Sequence, residues 1–261
     1  MALSVAPTDL KNILPLRKLF LQENNFQIRY DACHTRGWTD SYALMYNEEM
    51  VGYGSVKGKE NINDRDTVFE FYLIPSFRNQ TSLYFEGLLF SSSAAYIECQ
   101  SNDLLLTHLL YQYGKNIDSD VVLFEEGVTS SLVIDEAVFR RRNEKDIVFE
   151  HKAEPVGDYI LEFNKEVVAT GGFLLHYNMP FADLYMEVRE DYRRKGLGSF
   201  LIQEIKKQCY LAGRVPAART SIDNAASRAT LTKAGLRIAG FMLVGCVRNS
   251  KPPDEFSAQS T

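Results

Sequence analysis

The chain is short of several things, and each shortage narrows the reading. It has four cysteines in 261 residues, Cys33, Cys99, Cys209 and Cys246, scattered and without a C-x-x-C pair. Neither a zinc site nor a disulfide framework is therefore indicated. The four histidines, His34, His108, His151 and His176, do not cluster either, so no metal is expected. No apolar run approaches the roughly 18–20 residues of a membrane span, and no membrane partner is expected. The stretch from Met1 to Glu23 mixes Asp9, Lys11, Arg17 and Lys18 into its apolar positions, which reads as an amphipathic helix and not as a signal peptide. A basic excess is missing too. Lys and Arg number 29 against 34 Asp and Glu, for a net charge of −5, and outside one loop the longest basic run is Arg140-Arg141-Arg142. No nucleic-acid partner is expected. A reducing, cytoplasmic location follows as the default.

What remains is an ordinary globular balance, with 45% apolar, 12% aromatic and 24% charged residues. A chain of this length buries about 70% of its unfolded surface without staples, and its length suits one large domain or two ordinary ones. Pattern predicts a helix after Pro7-Thr8-Asp9 with a stripe at Leu10, Ile13, Leu14, Leu16, Leu19 and Phe20; Pro15 lies inside it, so the helix is expected either to kink there or to start later. A hairpin over Ser41–Val56 follows, then a strand over Thr67–Ile74, a helix over Thr81–Phe90, a strand over Ala94–Cys99 and a helix over Asp103–Tyr113. Gly114 is expected to close that helix as a left-handed cap. Strands are expected at Val121–Glu125 and Ser131–Phe139. The order then recurs: a hairpin over Tyr159–Leu175, a strand over Asp183–Val188, a helix over Gly198–Leu211, a strand over Pro216–Ile222, a helix over Ala225–Lys233 and a strand over Gly240–Val247.

The two halves can be laid on each other. Asn47 matches Asn164 at an offset of 117 (164 − 47), Phe77-Arg78 matches Tyr192-Arg193 at 115 (193 − 78), and Gly114 matches Gly235 at 121 (235 − 114). Near-constant offsets at three separated features point to an internal duplication.

The chemistry concentrates in Val188-Arg-Glu-Asp-Tyr-Arg-Arg-Lys-Gly-Leu-Gly-Ser-Phe-Leu201. A strand ends, a basic turn with two glycines follows, and an amphipathic helix begins. Backbone N–H groups at such a bend, with the helix dipole behind them, form a ready anion site. Gly196 and Gly198 leave the backbone open to a bulky anion, and Arg193, Arg194 and Lys195 add charge. A pyrophosphate suits it. The dinucleotide fingerprint is absent, since its third glycine would fall at Leu201.

The pattern Arg193-x-x-Gly196-x-Gly198, read with the strand Leu184–Val188 before it and Asn224-Ala-Ala-Ser227-Arg-Ala-Thr-Leu231-Thr-Lys-Ala-Gly235 after it, resembles the coenzyme A loop of the GNAT superfamily of N-acetyltransferases. The resemblance covers residues 155–248 well and residues 1–125 in architecture only. It implies a mixed α/β (α+β) fold of two tandem GNAT-like domains, each a mixed, mostly antiparallel central sheet flanked by helices. Their expected bounds are 1–127 and 128–250, with a disordered tail at 251–261. It implies acetyl transfer from acetyl-CoA to a primary amine on a small molecule or peptide. Met186 and Val188 would pair with the pantetheine arm. Arg193, Arg194, Lys195, Gly196, Leu197, Gly198 and Ser199 would hold the pyrophosphate, and Asn224 and Ser227 would line the leaving-group side. Glu187 is the first candidate for general base, with Asp183 second and His176 and Tyr177 behind them. The family's usual tyrosine acid is replaced by Leu231, which leaves Ser227, Tyr192 or water as proton donor. The alternative is a coenzyme A-binding sensor without turnover. A longer acyl chain or a hydroxyl acceptor stays open. The first half has no glycine in Arg78-Asn-Gln-Thr-Ser-Leu83 and reads as a degenerate copy. It is expected to cover the acceptor side, with Trp38 among its specificity residues.

Overall fold

The computed structural model describes residues 3–28, 30–152 and 154–248; the tail expected at 251–261 lies outside them. The chain divides into two compact units. Within the described residues the first holds 3–26, 31–120 and 241–248, and the second holds 27–28, 30 and 121–240. Both are mixed α/β, each with a mostly antiparallel sheet.

In chain order the first unit is built from β1 (Leu3–Thr8), α1 (Leu10–Glu23), α2 (Tyr30–Thr35), β2 (Thr39–Tyr46), β3 (Glu49–Lys57), β4 (Thr67–Leu73), a 3-10 turn (Pro75–Gln80), α3 (Thr81–Ser92), β5 (Tyr96–Gln100) and α4 (Leu104–Tyr113). The chain then enters β6 (Gly114–Glu126), whose last residues belong to the second unit. That unit continues through β7 (Ala137–Arg141), β8 (Tyr159–Phe163), β9 (Glu166–Leu174), β10 (Phe181–Val188), a short 3-10 turn (Glu190–Tyr192), α5 (Leu197–Leu211), β11 (Val215–Ser221) and α6 (Ala225–Lys233). The last strand, β12 (Leu236–Val247), starts in the second unit and ends in the first.

The strands of the two units repeat one plan. In the first, β1, β2, β3 and β4 are antiparallel neighbours, β5 joins β4 in parallel, and the end of β12 closes on β5. In the second, β7, β8, β9 and β10 are antiparallel neighbours, β11 joins β10 in parallel, and the end of β6 closes on β11. Each parallel pair is brief. Only Thr67 and Val68 of β4 meet β5, and only Phe181, Ala182 and Asp183 of β10 meet β11.

Three expectations need correcting. Gly114 is not a left-handed cap. Its φ is −94°, and the chain passes straight from α4 into β6. Glycine is needed there because a Cβ would come within 2.4 Å of the Leu110 carbonyl oxygen. The strand expected over Ser131–Phe139 is mostly loop, with β7 beginning only at Ala137. Residues Val128 to Ile134 are instead tied to the helices. Gln203 takes both backbone groups of Leu132, and Ser130 Oγ donates to the Ala234 carbonyl. Helix α1 runs through Pro15 unbroken. Pro15 and Lys11 both face solvent, so the carbonyl that loses its intrahelical partner stays hydrated.

In the second unit the core forms between α5 and the sheet. Leu197, Leu201, Ile202, Ile205 and Cys209 on the helix and Leu161, Ala169 and Leu184 on the facing side of the strands are all buried. That packing fixes where α5 begins relative to the end of β10, and so positions the site.

Candidate functional site

The site is built on β10, which leaves one neighbour early. Its ladder with β9 runs from Asp183 to Val188, whereas its ladder with β11 stops at Asp183. Leu184 to Val188 thus have a strand partner on one side only, and the sheet forks at Asp183. Alternation along a strand sorts the side chains. Met186 and Val188 lie on the α5 face, each within 3.4 Å of where a Cβ on Gly198 would stand. Asp183, Tyr185 and Glu187 occupy the opposite face.

At the tip of the strand the chain makes its bend. After the short 3-10 turn, Arg194 and Gly196 both adopt left-handed φ, 62° and 81°, and α5 starts at Leu197. Such alternation turns successive N–H groups toward one side. The backbone N–H groups of Gly196, Leu197, Gly198 and Ser199 have no acceptor among the described residues. They are the open donors of a helix start. Positive charge surrounds them. Arg194 is exposed, Lys195 Nζ stands 4.5 Å from the Tyr192 ring, and Lys233 Nζ lies 3.5 Å from the position of a Cβ on Gly196. Unsatisfied amides, left-handed residues and cations together fit a pyrophosphate.

The two glycines act for different reasons. At Gly196 the dihedral demands glycine, since a Cβ there has only ordinary contacts. At Gly198 the demand is packing. A Cβ would stand 3.3 Å from Thr230 Cγ2 and 3.3 Å from Val188 Cγ2, so its absence lets α5 approach β10 and α6. Other loop side chains are also committed inward. Arg193 Nε donates to the Val188 carbonyl at 3.1 Å and pairs with Glu190, bracing the strand end. Ser199 Oγ donates to the Thr230 carbonyl, and the Leu197 side chain is in the core. For Leu197 and Ser199, only the backbone is left for a ligand.

On α6, Asn224 is the N-cap, its Oδ1 accepting from the Ser227 N–H at 3.0 Å. Thr230 and Lys233 reach the loop from the other end of that helix. Asn224 stands six residues before Thr230, about 9 Å along the axis. Leu231, where the resemblance would place a tyrosine, is buried.

The carboxylates on the opposite face are separated by four residues, about 13 Å along the strand, and serve different neighbours. Glu187 accepts the Lys152 N–H, with its oxygens at 3.0 and 3.3 Å. Beside it His151 Nε2 bonds Thr170 Oγ1 at 2.6 Å. Tyr185 lies between the carboxylates, over Gly172; burial first, then the nearby Asp158, pushes its hydroxyl up to about 12. Asp183, at the fork, accepts from His176 Nε2 at 2.9 Å, with Arg219 Nε 4.0 Å away. Tyr177 is core, packed with Phe181 and Ala217. Trp38 belongs to the first unit, under the Arg36 guanidinium.

Sequence reasoning missed Lys233 and Ile134, which both flank Gly196. Lys233 was legible as the lysine two residues before the helix-closing Gly235. Nothing in the sequence marked Ile134.

A forked sheet with a basic, left-handed bend at its tip is the arrangement of the GNAT fold. The sequence signature of the Acetyltransferase (GNAT) family matches residues 126–236, and that segment is a GNAT acetyltransferase domain. Among solved structures the chain is similar to a GNAT-family acetyltransferase from Colwellia psychrerythraea, at TM-score 0.70 and 14% identity over 95% of this chain and all of that one. It is also similar to a tandem GNAT protein from the clavulanic acid biosynthesis pathway, solved without AcCoA, at TM-score 0.58 and 9% identity over 96% of this chain and all of that one. A GCN5-related N-acetyltransferase from Sphaerobacter thermophilus matches at TM-score 0.51 and 13% identity over 82% of each chain. At these identities the likeness is one of fold. No curated protein is similar enough in sequence to count as a relative.

Proposed function

We propose that the second unit is an acetyl-CoA-dependent N-acetyltransferase acting on a primary amine. The observation that carries this is the group of four acceptor-free amides at residues 196–199, set between left-handed residues and cations. Acetyl-CoA supplies the acetyl group as an activated thioester. The amides of 196–199 and the charges of Arg194, Lys195 and Lys233 hold its pyrophosphate. Arg193 keeps the end of β10 fixed against the bend. The edge of β10 that β11 leaves open, over Met186 and Val188, offers backbone groups to the peptide-like arm, and five residues at about 3.3 Å carry that arm from Val188 to the fork at Asp183. A backbone N–H there polarises the carbonyl oxygen. Ser227 and Asn224 lie on the leaving-group side. Negative charge on the Asp183–Glu187 face suits a cationic amine. The four cysteines form no disulfide among the described residues, and a reducing, cytoplasmic setting is part of the proposal. Among those residues no helix is long and apolar enough to cross a membrane.

One observation favours a second reading, a coenzyme A sensor without turnover: Leu231 fills the acid's place with a buried hydrocarbon. Calorimetric titration with coenzyme A and thiol-release assays against a panel of amines separate the two. Binding with release supports the transferase, and binding without release across the panel supports the sensor. Absence of binding overturns both.

A further inference from the structure

We infer that His176, not a carboxylate of β10, is the general base of the second unit, with Asp183 as its positioning residue. This rests on the acetyltransferase reading above. Glu187 is already engaged by the Lys152 N–H and lies about 13 Å from the fork. Asp183 is at the fork, where the arm ends, but its oxygen accepts from His176 Nε2 at 2.9 Å and faces Arg219 Nε at 4.0 Å. A carboxylate so placed holds the imidazole proton on Nε2 and fixes the ring's orientation. Nδ1 is then left with its lone pair, and no acceptor or donor among the described residues takes it. The imidazole keeps 17% of its side-chain surface exposed, enough for one atom to meet a ligand. The charged and titratable groups facing it are Asp183 from β10, Arg219 from β11, the adjacent Tyr177, and Arg214, whose guanidinium bonds the Leu175 carbonyl.

The proton count closes. His176 Nδ1 takes one proton from the entering ammonium, and the nitrogen then bonds the carbonyl carbon. The carbon–sulfur bond breaks with its electron pair passing to sulfur. Of the two protons the nitrogen loses, one ends on sulfur and the other leaves through His176 to water.

The test uses the full chain. In carbon–proton spectra of the four histidines, assigned with H176Q, saturating acetyl-CoA should move the His176 signal and leave exposed His108 unmoved. In D183N the His176 signal should respond to acetyl-CoA less than in the unsubstituted chain, because the ring is no longer held with its proton on Nε2. A His176 signal that acetyl-CoA leaves in place overturns the proposal, whatever the turnover. In thiol-release assays, H176Q should slow transfer by about 100-fold or more with coenzyme A affinity held within about twofold, and imidazole added to H176A should restore part of the rate. A rate within about threefold of the unsubstituted chain overturns it. If the unsubstituted chain binds no coenzyme A, the acetyltransferase reading itself fails, and that result is read from the titration alone.

Discussion

Arg78 in the first unit and Arg193 in the second make the same hydrogen bond. Each Nε donates at 3.1 Å to the carbonyl five residues back, Leu73 or Val188, at the end of a forked strand. The chains then part. After Arg78 the 3-10 turn runs directly into α3, with the Thr81 N–H spent on the Arg78 carbonyl and no residue in the left-handed region. After Arg193, Arg194 and Gly196 turn left-handed and the first amides of α5 stay open. One fork, one brace and two turns show that the sheet alone does not make the site. The turn does, and its difference reduces to Thr81 where the other copy has Gly196, and Leu83 where it has Gly198.

The opposite face differs as much. Glu70, at the place of Tyr185 in the repeat (185 − 70 = 115), is fully buried. It accepts three bonds from Arg17, from Nε at 3.0 and 3.2 Å and from Nη2 at 3.0 Å, one from His34 at 3.1 Å and one from Tyr53 at 2.9 Å. Burial alone would push its carboxyl up, but Arg17 and His34 outweigh burial and hold it at about 2. The largest effect is expected here. Removing one partner of such a cluster strands the others, so Glu70→Ala should cost about 3–5 kcal/mol, read by denaturant unfolding. Tyr185→Phe should cost under about 1 kcal/mol, because its hydroxyl closes no comparable network. Equal costs would break the contrast. The sign with pH follows. A depressed folded pKa contributes stability above the unfolded value, near 4.5, that is lost as pH falls toward 2.

The second effect is on ligand. Gly196→Asp forces a side chain onto a φ of 81° and sets a carboxylate among open amides, so coenzyme A affinity should fall by about 100-fold or more, or about 2.7 kcal/mol. Thr81→Asp, at the matching place of the first unit, should leave affinity within about twofold. Calorimetry reads both. Gly198→Asp is the less clean variant, because its Cβ is crowded by Thr230 and Val188 and the helix packing would suffer.

Much of this was legible in the chain. The turn chemistry showed because glycine and charge stand next to each other there, and the repeat showed because Asn47 and Asn164 hold the same hairpin turn, both at positive φ. What stayed hidden was tertiary. The apolar stripe of α1 includes Leu14 and Leu19, which are exposed, while the buried row is Ile13, Arg17 and Phe20. A stripe argument cannot place an arginine whose partner is 53 residues away. The His176–Asp183 pair was hidden likewise, because only the fold of β9 back onto β10 brings residues seven apart into contact. Gln203 and Ile134 left no trace because a glutamine bonding a loop backbone has no sequence period.

A third expectation concerns Asp103, the N-cap of α4, whose side chain accepts the Leu106 N–H at 3.0 Å. Burial, and then the Glu70 charge, push its carboxyl up to about 7 against that hydrogen bond. The sign is opposite to that of Glu70. A raised folded pKa contributes stability below the unfolded value, near 3.8, which is lost as pH rises through about 7. Asp103→Asn keeps the cap and removes the charge, so it should stabilise the first unit by about 1–2 kcal/mol at pH 8 and make no difference at pH 4. Stabilisation that does not depend on pH would show that the carboxylate is not the cause.

The smallest effects test the brace itself. Arg193→Ala and Arg78→Ala each remove one guanidinium bond to a strand-end carbonyl, and each should cost about 0.5–1.5 kcal/mol of stability. Their consequences for ligand should diverge. Val188 ends the strand that leads into the open bend, so freeing its carbonyl loosens the geometry of the amides that follow, and coenzyme A affinity should drop by a few fold. Leu73 leads into a turn whose first helical amide is already bonded to protein, so Arg78→Ala should change unfolding and leave the titration untouched. Measuring both variants by both methods sets four numbers against one another. If the two arginines move affinity alike, the first unit still holds a working anion site, and the difference between the turns is one of sequence without a difference in function.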